Sequence, residues 1–364
     1  LSGGTSIMAI IDKPSNFFNT KLYTGNGASS HAITGVGFKP DWTWNKNRSS
    51  AVNHALTDVV RAAPKKLVSN NNEAEINQTT GLLSFNSDGF TVGSDSGYNG
   101  NGNSMVSWNW IAGGSQGSSN TAGSINTTYT SVNTTSGFSI SSYTGNGSAG
   151  ATVGHGLGAA PQMIIVKKLN GGGADWMVYH QSLGATASNL GKTKYLSLNT
   201  TAAEDNGHWN DTAPTSTVFS ISSDQRVNSS GANYIAYCFA EKTSYNKFNK
   251  YTGNGNADGP FIYTGFKPAF VMFKKSSATG NWFMMNNKMF PANGVNASGG
   301  DQKYLYANTS NNEQGGYGQT DILSNGFKFR GSDGDLNGSG VTYIYMAFAE
   351  NPFVASNFVP ATAR

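Results

Sequence analysis

Large apolar side chains alternate with small or polar ones along much of this chain. SMVSWNWI from Ser104, NYIAYCFA from Asn233 and TYIYMAFA from Thr342 show the alternation most clearly, and a period of two marks a half-buried strand. Shorter runs of the same kind open at Phe90 (FTVG), Phe219 (FSIS) and Phe327 (FKFR). Others follow a proline: Pro40 before DWTWNKN, Pro161 before QMIIVKK and Pro268 before AFVMFKK. Proline is tolerated at the start of a strand because no ladder N–H is needed there, and the residues behind it are β-branched or aromatic, as strands prefer. Only Ala51 to Arg61 offers one helical turn instead, and His54, Leu56 and Val59 fit a helical period poorly. The expected class is all-β and antiparallel.

These runs recur in a fixed order. YTGNG stands at Tyr23, Tyr143 and Tyr251, and the proline runs come next. KKLVSN, KYLSLN and KYLYAN then end at Asn70, Asn199 and Asn308, each followed five residues on by Glu75, Glu204 or Glu313. The Phe runs and the long alternating strands close each copy. Self-similarity of this kind means a repeated structural unit. The chain is therefore expected to hold three related antiparallel β-sandwich units in tandem, each of about six to eight strands. Their bounds are 8–114 with an N-terminal arm, 136–242, and 243–364 with a C-terminal tail; 115–135, rich in Gly, Ser and Thr, reads as a linker or edge strand. Because Lys242 to Lys250 is short, the second and third units are expected to pack closely. Asn-Gly or Asn-Ser pairs before the closing strands suit hairpin turns. Leu1 to Ile7 precedes Met8, which reads as a native start, and is set aside as a processing remnant.

Composition narrows the function classes. Aromatics make up 12% of 364 residues, which excludes a disordered chain. Charged residues also make up only 12%, so solubility rests on amides and hydroxyls. The net charge is +4, with no run of five like charges, and there is no electrostatic footprint for nucleic acid or an anionic membrane. No apolar stretch approaches the roughly 18 residues of a membrane span, so no membrane insertion is expected. Cys238 is the sole cysteine, which rules out an intrachain disulfide and a cysteine zinc cluster. Such a chain suits folding in a reducing cytoplasm and later exposure outside it.

The stretches IDKPSNFFNTKLYTGNG, ITGVGFKPDWTW, YTGNGSAGATVGHGLGAAPQMIIVKK, DGPFIYTGFKPAFVMFKK and TYIYMAFAENPF resemble a widespread group of bacteriophage proteins, common in marine phages. The resemblance runs from Met8 to Arg364. It implies a virion or tail-associated protein with jelly-roll or lectin-like β-sandwich modules, which often sit in tail fibres and other host-contacting parts. Other virion proteins and bacterial surface polysaccharide are the implied partners, and fibre-like relatives imply a homotrimer. Localisation follows: folding in the host cytoplasm, then exposure on the virion after lysis. The resemblance transfers no role to individual residues.

GNG and GSDGDLNG lack the strand before and helix after that a phosphate loop needs. Asp333, Asp335 and Asn337 with Gly338 match the first half of an EF-hand loop, but the twelfth position is Ile344 and not the completing Glu. A hairpin tip is the favoured reading, and no cofactor is expected. Three equivalent glutamates, Glu75, Glu204 and Glu313, point to a shared structural role, since glycoside hydrolysis needs two acids across one sugar. His31, His54, His155, His180 and His208 show no metal-ligand spacing, and no Ser occupies a nucleophile elbow. The chain is thus expected not to be an enzyme. Trp176, Trp282 and His54 occupy equivalent places and are expected to pack. Trp209 lies in EDNGHWNDTAP beside His208, Asn210 and Asp211. That set is the chosen glycan-contact candidate, a ring for a sugar face with amide and carboxylate for hydroxyls, against the plainer reading of a sandwich-end plug. The insertion Pro291 to Gln302 is a second loop of that composition. The functional expectation is a phage virion protein of the tail-fibre or host-adhesion kind that contacts bacterial glycan. The alternative is a purely architectural virion component, such as a head fibre, decoration or tail-sleeve protein.

Overall fold

The computed structural model describes residues 11–184, 191–289, 293, 302–315 and 320–353. The protein is all-β, and the alternating runs are the strands of antiparallel sheets. The first large sheet has the order Phe18–Thr24, Ser104–Trp110, Trp42–Asn47, Ala55–Asp58. In the second, Phe138–Thr144, Asn233–Phe239, Met163–Lys168, Met177–His180 and Lys194–Ser197 follow the same scheme. The third repeats it with Asn246–Thr252, Thr342–Pro352, Phe266–Lys275, Trp282–Asn286 and Lys303–Tyr306. The YTGNG strand lies outermost in this scheme, then the closing strand, then the proline strand. Tyr129–Asn133 adds one edge strand beside Phe138–Thr144. Within Ala51 to Arg61 the structure has the strand Ala55–Asp58, all four of its residues buried, followed by a single turn that Ala62 N closes by donating to Asp58 O at 3.0 Å.

Both faces of each large sheet are covered. One face packs on a small sheet: His31–Thr34, Gly89–Val92 and Leu82–Asn86; Ala151–Gly154 with Val218–Ile221; Phe261–Tyr263, Gly326–Phe329 and Thr320–Leu323. Phe90, Phe219 and Phe327 anchor these three peripheral cores. The opposite faces of all three large sheets meet in one shared core. There Trp42 of the first sheet stacks on Tyr237 of the second at 4.4 Å and 18°. Phe18 stacks on Phe348 of the third at 4.9 Å, and Phe239 meets Phe348 edge-on at 6.0 Å. Each fully buried ring contributes roughly 1.5–3 kcal/mol, so the shared core holds the three units as one body. Among the described residues no helix is long and apolar enough to cross a membrane.

Around the rim of this core each unit grips the next by the same contacts. His54 Nε2 lies 2.9 Å from Tyr306 O, Trp176 Nε1 donates to Val68 O at 2.9 Å, and Trp282 Nε1 donates to Ser197 O at 3.0 Å. The contacts run from the first unit to the third, the third to the second and the second to the first, so the ring closes. The main-chain N–H groups of Glu75, Glu204 and Glu313 donate to Leu169 O, Ser276 O and Arg48 O, each at 2.8 Å. The recurring asparagines orient the ring-bearing residues: Asn70, Asn199 and Asn308 accept through Oδ1 from the N–H of His54, Trp176 and Trp282. Trp44 accounts for the histidine, because the first unit places this indole where the others have Ile165 and Met272. Trp44 Nε1 donates to His54 Nδ1 at 2.8 Å, so the imidazole proton sits on Nε2 and donates to Tyr306 O.

Three buried lysines complete the ring. Lys46 Nζ donates to Ser310 O at 3.2 Å, Lys167 Nζ to Asn72 O at 3.1 Å and Lys274 Nζ to Thr201 O at 3.3 Å. Burial lowers their pKa values to about 8, 8 and 7. Carbonyl oxygens accept from each ammonium and offset part of that cost.

The YTGNG motif locks the other end of each unit. Asn99, Asn228 and Asn337 accept through Oδ1 from the N–H of Asn26, Asn146 and Asn254, and donate through Nδ2 to the same residues' Oδ1 atoms. Glycine is required before each of these, since a Cβ on Gly25 would stand 2.2 Å from Gly100 O. The asparagine partners end short helical turns, Ser96–Asn99, Gln225–Asn228 and Gly334–Asn337, N-capped by Asp95, Asp224 and Asp333. These turns stand where hairpin tips were expected.

Candidate functional site

The Trp209 ring is not offered to solvent. Trp209 is 1% exposed, lies edge-on to Tyr179 at 5.8 Å and 82°, and donates through Nε1 to Lys194 O at 3.0 Å. Its ring belongs to the peripheral core of the second unit. His208 is buried against Tyr195 at 4.1 Å, and burial lowers its pKa to about 4, so it is neutral near pH 7. Positive φ angles at His208, Asn210 and Asp211 turn the loop back on itself, which sends the indole inward and leaves Asn210 and Asp211 exposed. Of the set, the structure thus places the Trp209 indole and His208 inside the second unit and Asn210 and Asp211 at its surface.

Nor do Asp333, Asp335 and Asn337 converge on a cation. Asp333 caps the helical turn by accepting from Asp335 N at 2.7 Å, Asp335 pairs with Lys275 at 2.7 Å, and Asn337 spends its amide on Asn254, Asn256 and Gly331. Among the described residues no group of three His, Cys, Asp or Glu side chains could hold a metal. Cys238 is buried, and burial raises its thiol pKa far from a reactive range. The Pro291 to Gln302 insertion lies outside the described residues except for Asn293 and Gln302.

The glutamates lead to the surface features that remain, the seams between units. Glu75 lies in a hollow of about 270 Å³ between the first and second units, lined also by Val60, Tyr129, Ser142, Leu169 and Asn233. A second hollow of about 300 Å³ lies between the second and third units, where Glu204, Ser182, Lys250, Ser276 and Thr342 take the corresponding places. The third seam is bridged by an ion pair: Arg48, in the place of Leu169 and Ser276, meets Glu313 at 2.5 Å. Among the described residues, Glu204 alone of the three carboxylates accepts from a main-chain N–H, that of Gly184 at 3.3 Å. Glu75 pairs with Arg61 and Lys65, both at 3.3 Å.

The first seam carries the most varied chemistry. Tyr129 is 37% exposed at its lip and stands on an edge strand that, among the described residues, the second unit alone has. Beneath it Arg61, 3% exposed, joins Asp58 at 2.5 Å, and the Tyr237 hydroxyl donates to the same carboxylate at 2.7 Å. This buried network fixes Glu75 from below. An aromatic ring, a carboxylate, a hydroxyl and an amide thus share one concave site.

Sequence reasoning missed the seams because they exist only once the ring closes. The recurrence of Glu75 and Glu204 was the available signal, together with the lysines of WNKN, IVKK and MFKK at matched positions. A family model described as a domain of unknown function (DUF7483) matches residues 13–352. No curated protein matches the chain.

Proposed function

This chain belongs to the DUF7483 family, and we propose that it serves a bacteriophage virion as a rigid host-contact module, taking bacterial surface saccharide into the seams between its units. The carrying observation is the first seam: an exposed Tyr129 ring beside Glu75, Ser142 and Asn233 in a hollow of about 270 Å³. A sugar offers an apolar C–H face and a rim of hydroxyls, and such sites combine a ring with a few well-placed polar groups. The low overall charge suits an uncharged ligand, and the resemblance to phage proteins supplies the setting. The same resemblance supports contact with other virion proteins and a homotrimeric assembly.

A purely architectural role in the virion is the second reading. It is favoured by the recurring residues, most of which are engaged in contacts between or within units, and by Trp209 lying in the core.

An array of bacterial capsular and O-antigen polysaccharides, read with purified protein and with Tyr129→Ala, tests the first reading. Binding by the wild type that falls at least fivefold in the variant, at unchanged melting temperature, supports it. No binding to any polysaccharide, with antibody labelling that places the protein on virions, leaves the architectural role. Absence from virions overturns both.

A further inference from the structure

Phe261 and Tyr263 are 44% and 58% exposed on the edge strand Phe261–Tyr263, while Ile262 between them is buried in the peripheral core of the third unit. The fold does not ask for aromatics there. Ile262 pairs with Phe327 as Ile33 pairs with Phe90 and Val153 with Phe219. The matched flanking residues are Ala32 and Thr34 in the first unit, and Thr152 and Gly154 in the second. In the second unit the chain itself covers these positions: Ser124 N donates to Thr152 Oγ1 at 2.8 Å, and Ile125 forms a parallel bridge with Val153. Only the third unit presents rings.

The ground around the rings is polar but neutralised. Lys328, opposite Phe261, pairs with Asp258 at 2.8 Å, and Arg330 pairs with Asp321 at 2.5 Å. Opposite Tyr263 stands Gly326, where a Cβ would lie 2.1 Å from Ile262 O and 3.1 Å from Phe261 Cε2, so the glycine leaves room for the Phe261 ring beside it. Residues two apart on a strand share one face, with Cα atoms roughly 6.6 Å apart. Given their fractional exposure, the two side chains offer about 200 Å², far short of the roughly 800 Å² per partner of a stable protein interface. Two exposed rings with a paired, hydrogen-bonding rim fit the C–H face and hydroxyls of a sugar.

We propose that the outer face of the small sheet Phe261–Tyr263, Gly326–Phe329, Thr320–Leu323 is a second saccharide-binding site, an aromatic platform for uncharged bacterial polysaccharide. It rests on the saccharide-binding reading above and adds a contact separate from the seam. Two sites on one rigid body raise avidity for a repeating polymer without raising the affinity of either site.

The test is the double variant Phe261→Ala/Tyr263→Thr, which installs the pair that Ala32 and Thr34 already form in the first unit. On the same polysaccharide array its apparent affinity is expected to fall tenfold or more, with the circular dichroism spectrum and melting temperature unchanged. Tyr263→Ser alone, at the more exposed ring, is expected to lose at least threefold and guards against a folding defect in the double variant. Unchanged binding in both variants, with Tyr129→Ala impaired, overturns the platform and leaves the seam reading standing. If the wild type binds no polysaccharide, both fall. Self-association in sedimentation that the double variant abolishes would make this face a contact between copies and would also overturn the platform.

Discussion

Replacing Trp42 by alanine separates one cooperative body from three linked domains. The ring stacks on Tyr237 at 4.4 Å and lies 5.7 Å from Phe138 and 6.2 Å from Phe239, all in the second unit, besides Trp110 at 4.5 Å in its own. Removing a buried aromatic costs about 3–5 kcal/mol, and about 4 is a fair central figure here because the ring is 1% exposed. The melting shift depends on how much chain unfolds with it. At about 2.1 cal/mol/K per residue, a transition of all 364 residues has an entropy near 0.76 kcal/mol/K, and the midpoint falls by about 5 °C. A first unit that melted alone, with roughly a hundred residues, would fall by about 19 °C and leave the other two behind. Scanning calorimetry of wild type and Trp42→Ala reads this directly. One endotherm in both proteins, moved by about 5 °C, is expected. A second endotherm splitting off some 19 °C lower would refute the shared core as the source of cohesion.

Four further outcomes follow from the same geometry. Buried His54 and His180 have pKa values lowered to about 3 and about 4 by burial. The unfolded chain therefore takes up protons below about pH 6.5 that the folded one refuses, and stability should fall as pH drops from about 6.5, by up to about 2 kcal/mol per histidine at pH 5; a melting temperature flat between pH 7 and 5 would contradict this. His54→Trp alone should overpack against Trp44 and cost about 1–3 kcal/mol. Adding Trp44→Ile recreates the Ile165 and Trp176 pair of the second unit and should recover most of the loss, with a double-mutant coupling of at least about 1 kcal/mol in urea titrations. Arg61→Met strands the fully buried Asp58 carboxylate and should cost about 3–5 kcal/mol by the same assay. Trp209→Ala should also cost about 3–5 kcal/mol as a core truncation; a loss under about 1 kcal/mol would return Trp209 to the surface.

Strand identity was legible in the sequence because alternation, proline placement and turn glycines are set by backbone geometry within a few residues. SMVSWNW, NYIAYCF and TYIYMAF needed no distant partner to be read as strands, and the recurring landmarks told which strands correspond. One feature stood between two readings and two went unread, for different reasons. Trp209 turns inward through positive φ angles at His208, Asn210 and Asp211, a local choice that the polar composition of its loop disguised. Lys46, Lys167 and Lys274 gave no local sign of burial, because lysine is rarely buried without a carboxylate partner. The groove beside Glu75 has walls from two units, so neither unit alone encodes it.

By itself the sequence determined an all-β chain, the places of its strands and the equivalence of its repeated landmarks, since each of these depends on side-chain periodicity and steric rules local to a segment. The closed ring, the common aromatic core, the seams and the exposed Phe261 and Tyr263 were decided only by tertiary structure. His54 meets Tyr306 across a separation of 252 residues and Lys46 meets Ser310 across 264. Contacts that distant are selected by which apolar faces can be buried together once all three sheets exist, and no local pattern carries that information.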